Sequence, residues 1–271
     1  MSDSSMTHEG MPSSEEMTHL LDSLRAKHYD IRQGTDVVEI VGPLGKGGSK
    51  IVYAALLGDQ TFALALPNTV DGEQAMQKKW APVLQEPENT QRIRALGIPT
   101  NTTCELMPLS VNGVLFPALR MARYEDLPFE VRDSKNRESS IFTTETLPAG
   151  PLDATTFRTL FQGAAEDIVT LVRNNVTLSI DSFNICLEEG RLRLYLNDLG
   201  TAKFEPIPPT SIPTVCRYYA IAAIDAFLNA LSYDEQQAHA DFFEGSDFSL
   251  GNPGNMYDVI SAEIHNRVHS G

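Results

Sequence analysis

Met17, Leu20, Leu21 and Leu24 recur at helical spacing just after a serine and a glutamate three residues apart, Ser13 and Glu16. The Ser-x-x-Glu pair is a capping-box pattern, so an amphipathic helix of about three turns is predicted there. From Val37 the period shortens. Val37, Val38, Ile40 and Val41 lead into Gly42-Pro43-Leu44-Gly45, and Ile51-Val52-Tyr53-Ala54 returns as a second apolar run, which predicts two strands joined by a glycine loop. A third strand-like run, Thr61 to Leu66, ends at Pro67-Asn68. Gln74 to Leu96 reads as mostly helical, interrupted or bent near Pro82 and Pro87, and Gly113 to Met121 is strand-like again.

The charged, aperiodic stretch Asp133 to Ser140 divides the chain. Beyond it Asp153 is a plausible N-cap, and Phe157, Leu160, Phe161, Ala164, Ile168, Leu171 and Val172 mark a long amphipathic helix. Two short strands, Ile185 to Leu187 and Leu192 to Leu196, flank a Glu189-Gly190 turn. The chain reads as helical again from Pro213 through Leu231, with a final helix near Met256 to Val268. There is no internal repeat. The expected organisation is a disordered tail over 1–14, a helix and β-rich part over 15–124, and a second part over 125–271.

Composition narrows the function classes. Lys and Arg number 21 against 36 Asp and Glu in 271 residues, a formal charge of −15. Such a chain repels a phosphate backbone, so nucleic-acid binding is not expected. No apolar run reaches the ~20 residues of a membrane-spanning helix, and the mean hydropathy of −0.19 is that of a globular protein. The three cysteines, Cys104, Cys186 and Cys216, are odd in number and far apart, which argues against a disulfide framework or a Cys-pair zinc site and for a reducing compartment. Residues 1–14 are polar, without the basic start and apolar stretch of a secretory leader.

Three short segments carry candidate chemistry. Gly45-Lys46-Gly47-Gly48-Ser49-Lys50 places glycines between two strands, where backbone amides approach phosphate oxygens with no Cβ in the way. Asn197-Asp198-Leu199-Gly200 follows an apolar strand, a position from which a carboxylate binds Mg²⁺ that bridges phosphates. Ser179-Ile180-Asp181-Ser182-Phe183-Asn184-Ile185 lies between a long helix and a hairpin. Any one of these alone is as well explained by a turn or a solvated loop carboxylate; the weight comes from their order and separation.

In that order the segments resemble the protein kinase superfamily from about Val41 to Phe204, and more loosely the short kinases that pathogenic bacteria deliver into host cells. The resemblance implies an α+β, two-lobed protein-kinase-like fold with a small β-rich N-lobe and a reduced helical C-lobe. It implies ATP held by Gly45, Gly47 and Gly48, with Met121 and Arg123 at the hinge, and Mg held by Asn184 and Asp198. The helix before Leu96-Gly97-Ile98-Pro99 would supply a carboxylate, Glu86 or Glu88. A protein substrate or a host partner protein, and a cytoplasmic location that extends to a host cytosol, follow from the same likeness.

Two positions depart from the family pattern. Ala65 stands where the family has its phosphate-positioning lysine, which leaves a pseudokinase, an engineered Lys-to-Ala change, or a relocated lysine. Lys50, at the third-glycine position of the loop, is the candidate for relocation, as in the with-no-lysine kinases. The family's base, five residues before Asn184, falls on Ser179, which is not a useful general base, so Asp181 is the candidate. The expected function is Mg-ATP-dependent transfer of the γ-phosphoryl to a protein Ser or Thr. A pseudokinase that serves as a protein-binding platform and nucleotidyl transfer are the alternatives. No A-P-E-like motif follows Gly200. His265 and His269 sit one helical turn apart but lack an evident third ligand, and Trp80 and Phe242-Phe243 read as core.

Overall fold

The structure is a computed structural model that describes residues 11–69, 72–132, 154–188, 191–230, 261 and 263–269. Asp133 to Ser140, Asp153, the Glu189-Gly190 turn, Phe242-Phe243 and most of the expected terminal helix lie outside the described residues. Two compact units are present: Met1–Pro87 with Thr102–Asp126, and Glu88–Asn101 with Leu127–Gly271.

The first unit is a closed β-barrel. Strands β1 (Ile31–Gln33), β2 (Asp36–Lys46), β3 (Lys50–Leu57), β4 (Gln60–Pro67), β5 (Cys104–Val111) and β6 (Val114–Met121) run in the order β1-β2-β3-β4-β6-β5. β1 closes the ring onto β5 through Ile31↔Val111 and Arg32↔Ser110. Closure removes the exposed edges of an open sheet. The expected two-lobed protein-kinase-like fold, with an open β-sheet lobe, is therefore corrected by this barrel. The cause is local. β1 has three residues and β5 is interrupted by Pro108, so neither gives the alternating run by which a strand is recognised.

Helix α1 (Ser14–Arg25) forms as its sequence predicts. The Ser13 side chain accepts from the Glu16 N–H, Glu16 reaches back to the Ser13 backbone, and Met17, Leu20, Leu21 and Leu24 are buried in the barrel's apolar cluster. Helix α2 (Glu73–Arg94) runs through Pro82 and Pro87 as one helix, so of the expected interruption or bend the interruption is absent. Each proline removes one helical donor, and tertiary packing compensates: Met76, Trp80 and Val83 are buried, and Trp80 donates to the Pro117 carbonyl at 3.2 Å with its ring 5.0 Å from Phe116. Gly42 to Gly45 also departs from expectation. It continues β2, with register shifts between Ile40 and Gly42 and between Pro43 and Gly45, so the turn proper is Gly47 to Ser49.

The second unit joins the sheet β7 (Glu130–Arg132), β8 (Phe183–Glu188) and β9 (Arg191–Leu196) to helices α3 (Ala154–Arg173) and α4 (Ile212–Ala230). Leu160, Phe161, Ala164, Ile168, Leu171 and Val172 of α3 enter one apolar cluster with Ile185, Leu194 and Leu196 of the hairpin and Tyr219, Ala223 and Phe227 of α4. Gly163 sets how closely α3 approaches β9, because a Cβ there would meet the Leu192 carbonyl oxygen at 2.6 Å. No helix among the described residues is long and apolar enough to cross a membrane.

Candidate functional site

In the first unit the β2–β3 turn is held from below by backbone and side-chain bonds. The Gly47 N–H donates to the Lys50 carbonyl at 2.8 Å, the Asn68 N–H donates to the Ser49 carbonyl at 3.0 Å, and Asn68 Nδ2 donates to the Gly47 carbonyl at 2.7 Å. Gly45 and Gly48 are exposed, neither has a positive φ, and a Cβ on either would meet nothing within 4 Å. A Cβ on Gly47 would make only ordinary contact, 3.5 Å from the Lys50 carbonyl. Neither packing nor backbone conformation within the chain therefore requires glycine at Gly45 or Gly48. With no Cβ at either position, the backbone there is open to close approach by a ligand.

Lys50 opens β3 just beyond this turn, and its Nζ donates to Glu86 Oε2 of α2 at 2.5 Å, with the two side chains 10% and 4% exposed. A buried ammonium and carboxylate hold each other where either alone would carry a large desolvation cost. The pair selects between the two candidate carboxylates. Glu86 is engaged and Glu88 is exposed, so Glu88 is not the partner. Ala65 is fully buried and pairs with Val52, while Lys50 pairs with Pro67. In an antiparallel ladder these registers put Lys50 and Ala65 on the same face as diagonal neighbours. Lys50 on β3 and Ala65 on β4 thus lie on one face of the barrel wall.

Met121 ends β6, and the following Ala122 N–H donates to the Thr103 carbonyl at 3.0 Å. Arg123 forms an ion pair with Glu125. The Arg123 Nε is buried and has no hydrogen-bond partner among the described residues.

In the second unit the candidate loop is fixed at both ends. Tyr219 of α4 accepts from the Leu178 N–H and donates to the Val176 carbonyl, both at 2.8 Å, with its ring 5.0 Å from Phe183. Burial raises the Tyr219 hydroxyl well above its ordinary value, which keeps it a neutral donor. Thr177 and Lys203 exchange backbone bonds at 2.8 and 3.0 Å. Between these anchors Ile180–Ser182 makes a single 3-10 turn with Asp181 exposed, and Asn184 is buried at the start of β8.

The β8–β9 register pairs Asn184 with Tyr195 and Phe183 with Leu196, so Asn197 and Asp198 leave the same end of the hairpin that Asn184 enters. Two bonds continue this pairing past the strands: Asn197 N–H to the Ser182 carbonyl at 3.1 Å, and Ser182 Oγ to the Asp198 carbonyl at 3.3 Å. Asp198 is exposed and left-handed, φ 52° and ψ 48°, and makes no side-chain cap bond to the turn that follows. Leu199 is buried, and its carbonyl accepts from Asn89 Nδ2 at 2.8 Å. Asn184 and Asp198 offer one amide and one carboxylate oxygen. Mg²⁺ is commonly bound by such a small hard set, with waters and phosphates completing the octahedron.

Sequence reasoning missed Tyr219, Ser182 and Asn89, whose work is to hold the loop and the Asp198 turn. Their partners are backbone atoms distant in sequence, for which a single chain carries no signal. A recess of about 290 Å³ on the same unit contains none of the candidate residues. Its walls include Asp167 and Arg193, joined through the guanidinium Nε and Nη2, with Glu188 bonded to Nη1 at 2.6 Å. Burial pushes the Asp167 carboxyl up, and the bonds from Arg193 and the Leu194 N–H pull against it. These charges close on one another and anchor α3 to β9. The chain matches no protein-family model and no curated protein, so its reading rests on the site residues themselves.

Proposed function

We propose that this chain is a Mg-ATP-dependent phosphotransferase that delivers the γ-phosphoryl to a Ser or Thr of a protein. The buried Lys50–Glu86 pair beside the glycine turn carries the reading. Phosphoryl transfer asks little covalent chemistry of a protein and much positioning of charge. Lys50, oriented by Glu86, bears on the donor's phosphates, and the backbone around Gly45, Gly47 and Gly48 lies against them. Asn184 and Asp198 would hold Mg²⁺, which would supply positive charge to offset that on phosphate oxygens. Asp181 accepts the proton of the acceptor hydroxyl. The proposal rests on this residue chemistry, with the two-lobed fold set aside. Three free thiols accord with a reducing cytoplasm, a host cell's included.

A transfer assay with γ-labelled and α-labelled ATP tests the reaction class. Label on protein from the γ position alone is expected. Label from the α position alone means nucleotidyl transfer, and none from either favours the pseudokinase platform.

Two variants test the roles. Gly48→Ala is expected to leave stability unchanged or raise it by about 0.4–1 kcal/mol, since no clash or positive φ opposes the methyl. It should weaken ATP by about ten- to a hundredfold, the loss of one charge-assisted hydrogen bond of about 1.5–3 kcal/mol. Calorimetry with unchanged ATP affinity in a folded Gly48→Ala chain counts against the phosphate-loop role. Asp181→Asn keeps size and hydrogen bonding but removes the proton acceptor, so turnover should fall by ~10²-fold with ATP affinity preserved. Full turnover in that variant removes Asp181 from the reaction.

A further inference from the structure

The terminal helical residues 263–269 carry a feature outside the proposed phosphotransferase site. Ile264 is fully buried in the second unit's apolar cluster, and Arg173 Nη2 of α3 donates to the Arg267 carbonyl at 2.5 Å. Arg267 bonds Glu263 at 2.6 Å and lies 3.6 Å from Glu166 of α3. The segment is therefore docked, and side chains on it are presented from a fixed backbone.

His265 and His269 stand four residues apart on that backbone, one turn along the same face. Their ring centroids are 4.3 Å apart, with the planes inclined by 49°. His269 Nδ1 lies 2.9 Å from the His265 carbonyl, and because a carbonyl only accepts, Nδ1 carries the proton. That tautomer leaves the lone pair on Nε2, the arrangement by which second-shell carbonyls prepare a histidine as a metal ligand. His265 Nδ1 is buried and has no hydrogen-bond partner among the described residues.

The geometry points to a divalent transition-metal site at His265 and His269, of the class filled by Cu²⁺ or Ni²⁺. A metal–nitrogen bond of about 2.0–2.1 Å puts the ion roughly 3.2 Å from each ring centroid, so two cis ligands at a right angle have centroids about 4.5 Å apart and two tetrahedral ligands about 5.2 Å. The rings stand near enough to share one ion, and imidazole nitrogen suits Cu²⁺ and Ni²⁺, which lie at the high-affinity end of the divalent order. No group of three or more His, Cys, Asp or Glu able to hold a metal occurs among the described residues, and water would complete the coordination of an ion held by the two rings.

The test uses the full chain without a polyhistidine tag, titrated with Cu²⁺ and with Ni²⁺ by calorimetry, alongside His265→Asn, His269→Ala and a His19→Ala/His28→Ala control. One Cu²⁺ site is expected, weakened at least about tenfold in each of the first two variants, the scale on which even outer-shell partners of a metal act. The control should bind as the parent does. The electron paramagnetic resonance of the Cu²⁺ form should show two coordinated imidazoles, reduced to one in His269→Ala. Thermal unfolding without metal establishes that the variants are folded, and His269 is exposed, so its truncation removes little packing. Unchanged Cu²⁺ affinity in folded His269→Ala, loss of affinity only in the control, or no binding to the parent overturns the site.

Discussion

Lys50→Ala is expected to be both inactive and unstable, and a second substitution separates the two effects. Removing the ammonium takes away the buried cation bonded to Glu86, whose side chain is 4% exposed. Breaking a buried pair in this way costs about 3–5 kcal/mol. One well-placed charge on a transferring phosphate is worth about 3 to 4 kcal/mol, so turnover should fall on the order of 10²- to 10³-fold. Replacing both partners by apolar groups of similar volume is often neutral or stabilising by about 1–4 kcal/mol. Lys50→Met/Glu86→Leu should therefore recover the lost unfolding free energy while staying inactive. Thermal unfolding and γ-labelled transfer, measured on the same preparations, check this. A stable double variant that still transfers phosphate shows the pair to be structural and removes Lys50 from the proposed reaction.

Much of the local structure was legible in the sequence, and the places where it was not have physical causes. The capping box and four apolar positions of α1, the buried stripe of α3 and the β8–β9 hairpin are local patterns, satisfied by residues within one or two turns of each other. Barrel closure is non-local: β1 and β5 are separated by some seventy residues and meet in a two-residue register that their own sequences do not advertise. The burial of Met107, Leu109 and Val111 gives β5 an inward face, but Pro108 between them masks the alternation. The expected two-lobed fold came from the order of the glycine and acidic segments, which carries no information on barrel closure. Lys50 stands out in the sequence by its place beside the glycines, whereas its pairing with Glu86 and not Glu88 does not. Two prolines obscure the facing of α2, and only the packed Trp80 and Met76 fix which side of the helix turns toward Lys50's strand.

Asp198→Gly is expected to abolish Mg-dependent ATP binding with almost no change in stability. Asp198 holds a left-handed conformation, φ 52°, that costs a residue with a Cβ about 1–2 kcal/mol, less for Asp than for most. Glycine relieves this strain but has more freedom to lose on folding, about 0.5–1 kcal/mol, so the two contributions nearly cancel. The carboxylate is exposed, and the buried Leu199 and its bond from Asn89 are untouched by the change. Mg-ATP at a hundred times its dissociation constant should stabilise the parent by about 2.7 kcal/mol. For a protein of this size that is a rise in Tm on the order of 5–10 °C. Asp198→Gly and Asp198→Asn should both unfold within about 2–4 °C of the parent without ligand, equivalent to about 1 kcal/mol, and should both lose the Mg-dependent shift. Asparagine is the stricter of the two, since it tolerates the left-handed backbone and preserves shape while removing only the negative charge. A full Mg-ATP shift in folded Asp198→Asn means the metal is held elsewhere, and the assignment of Asp198 fails.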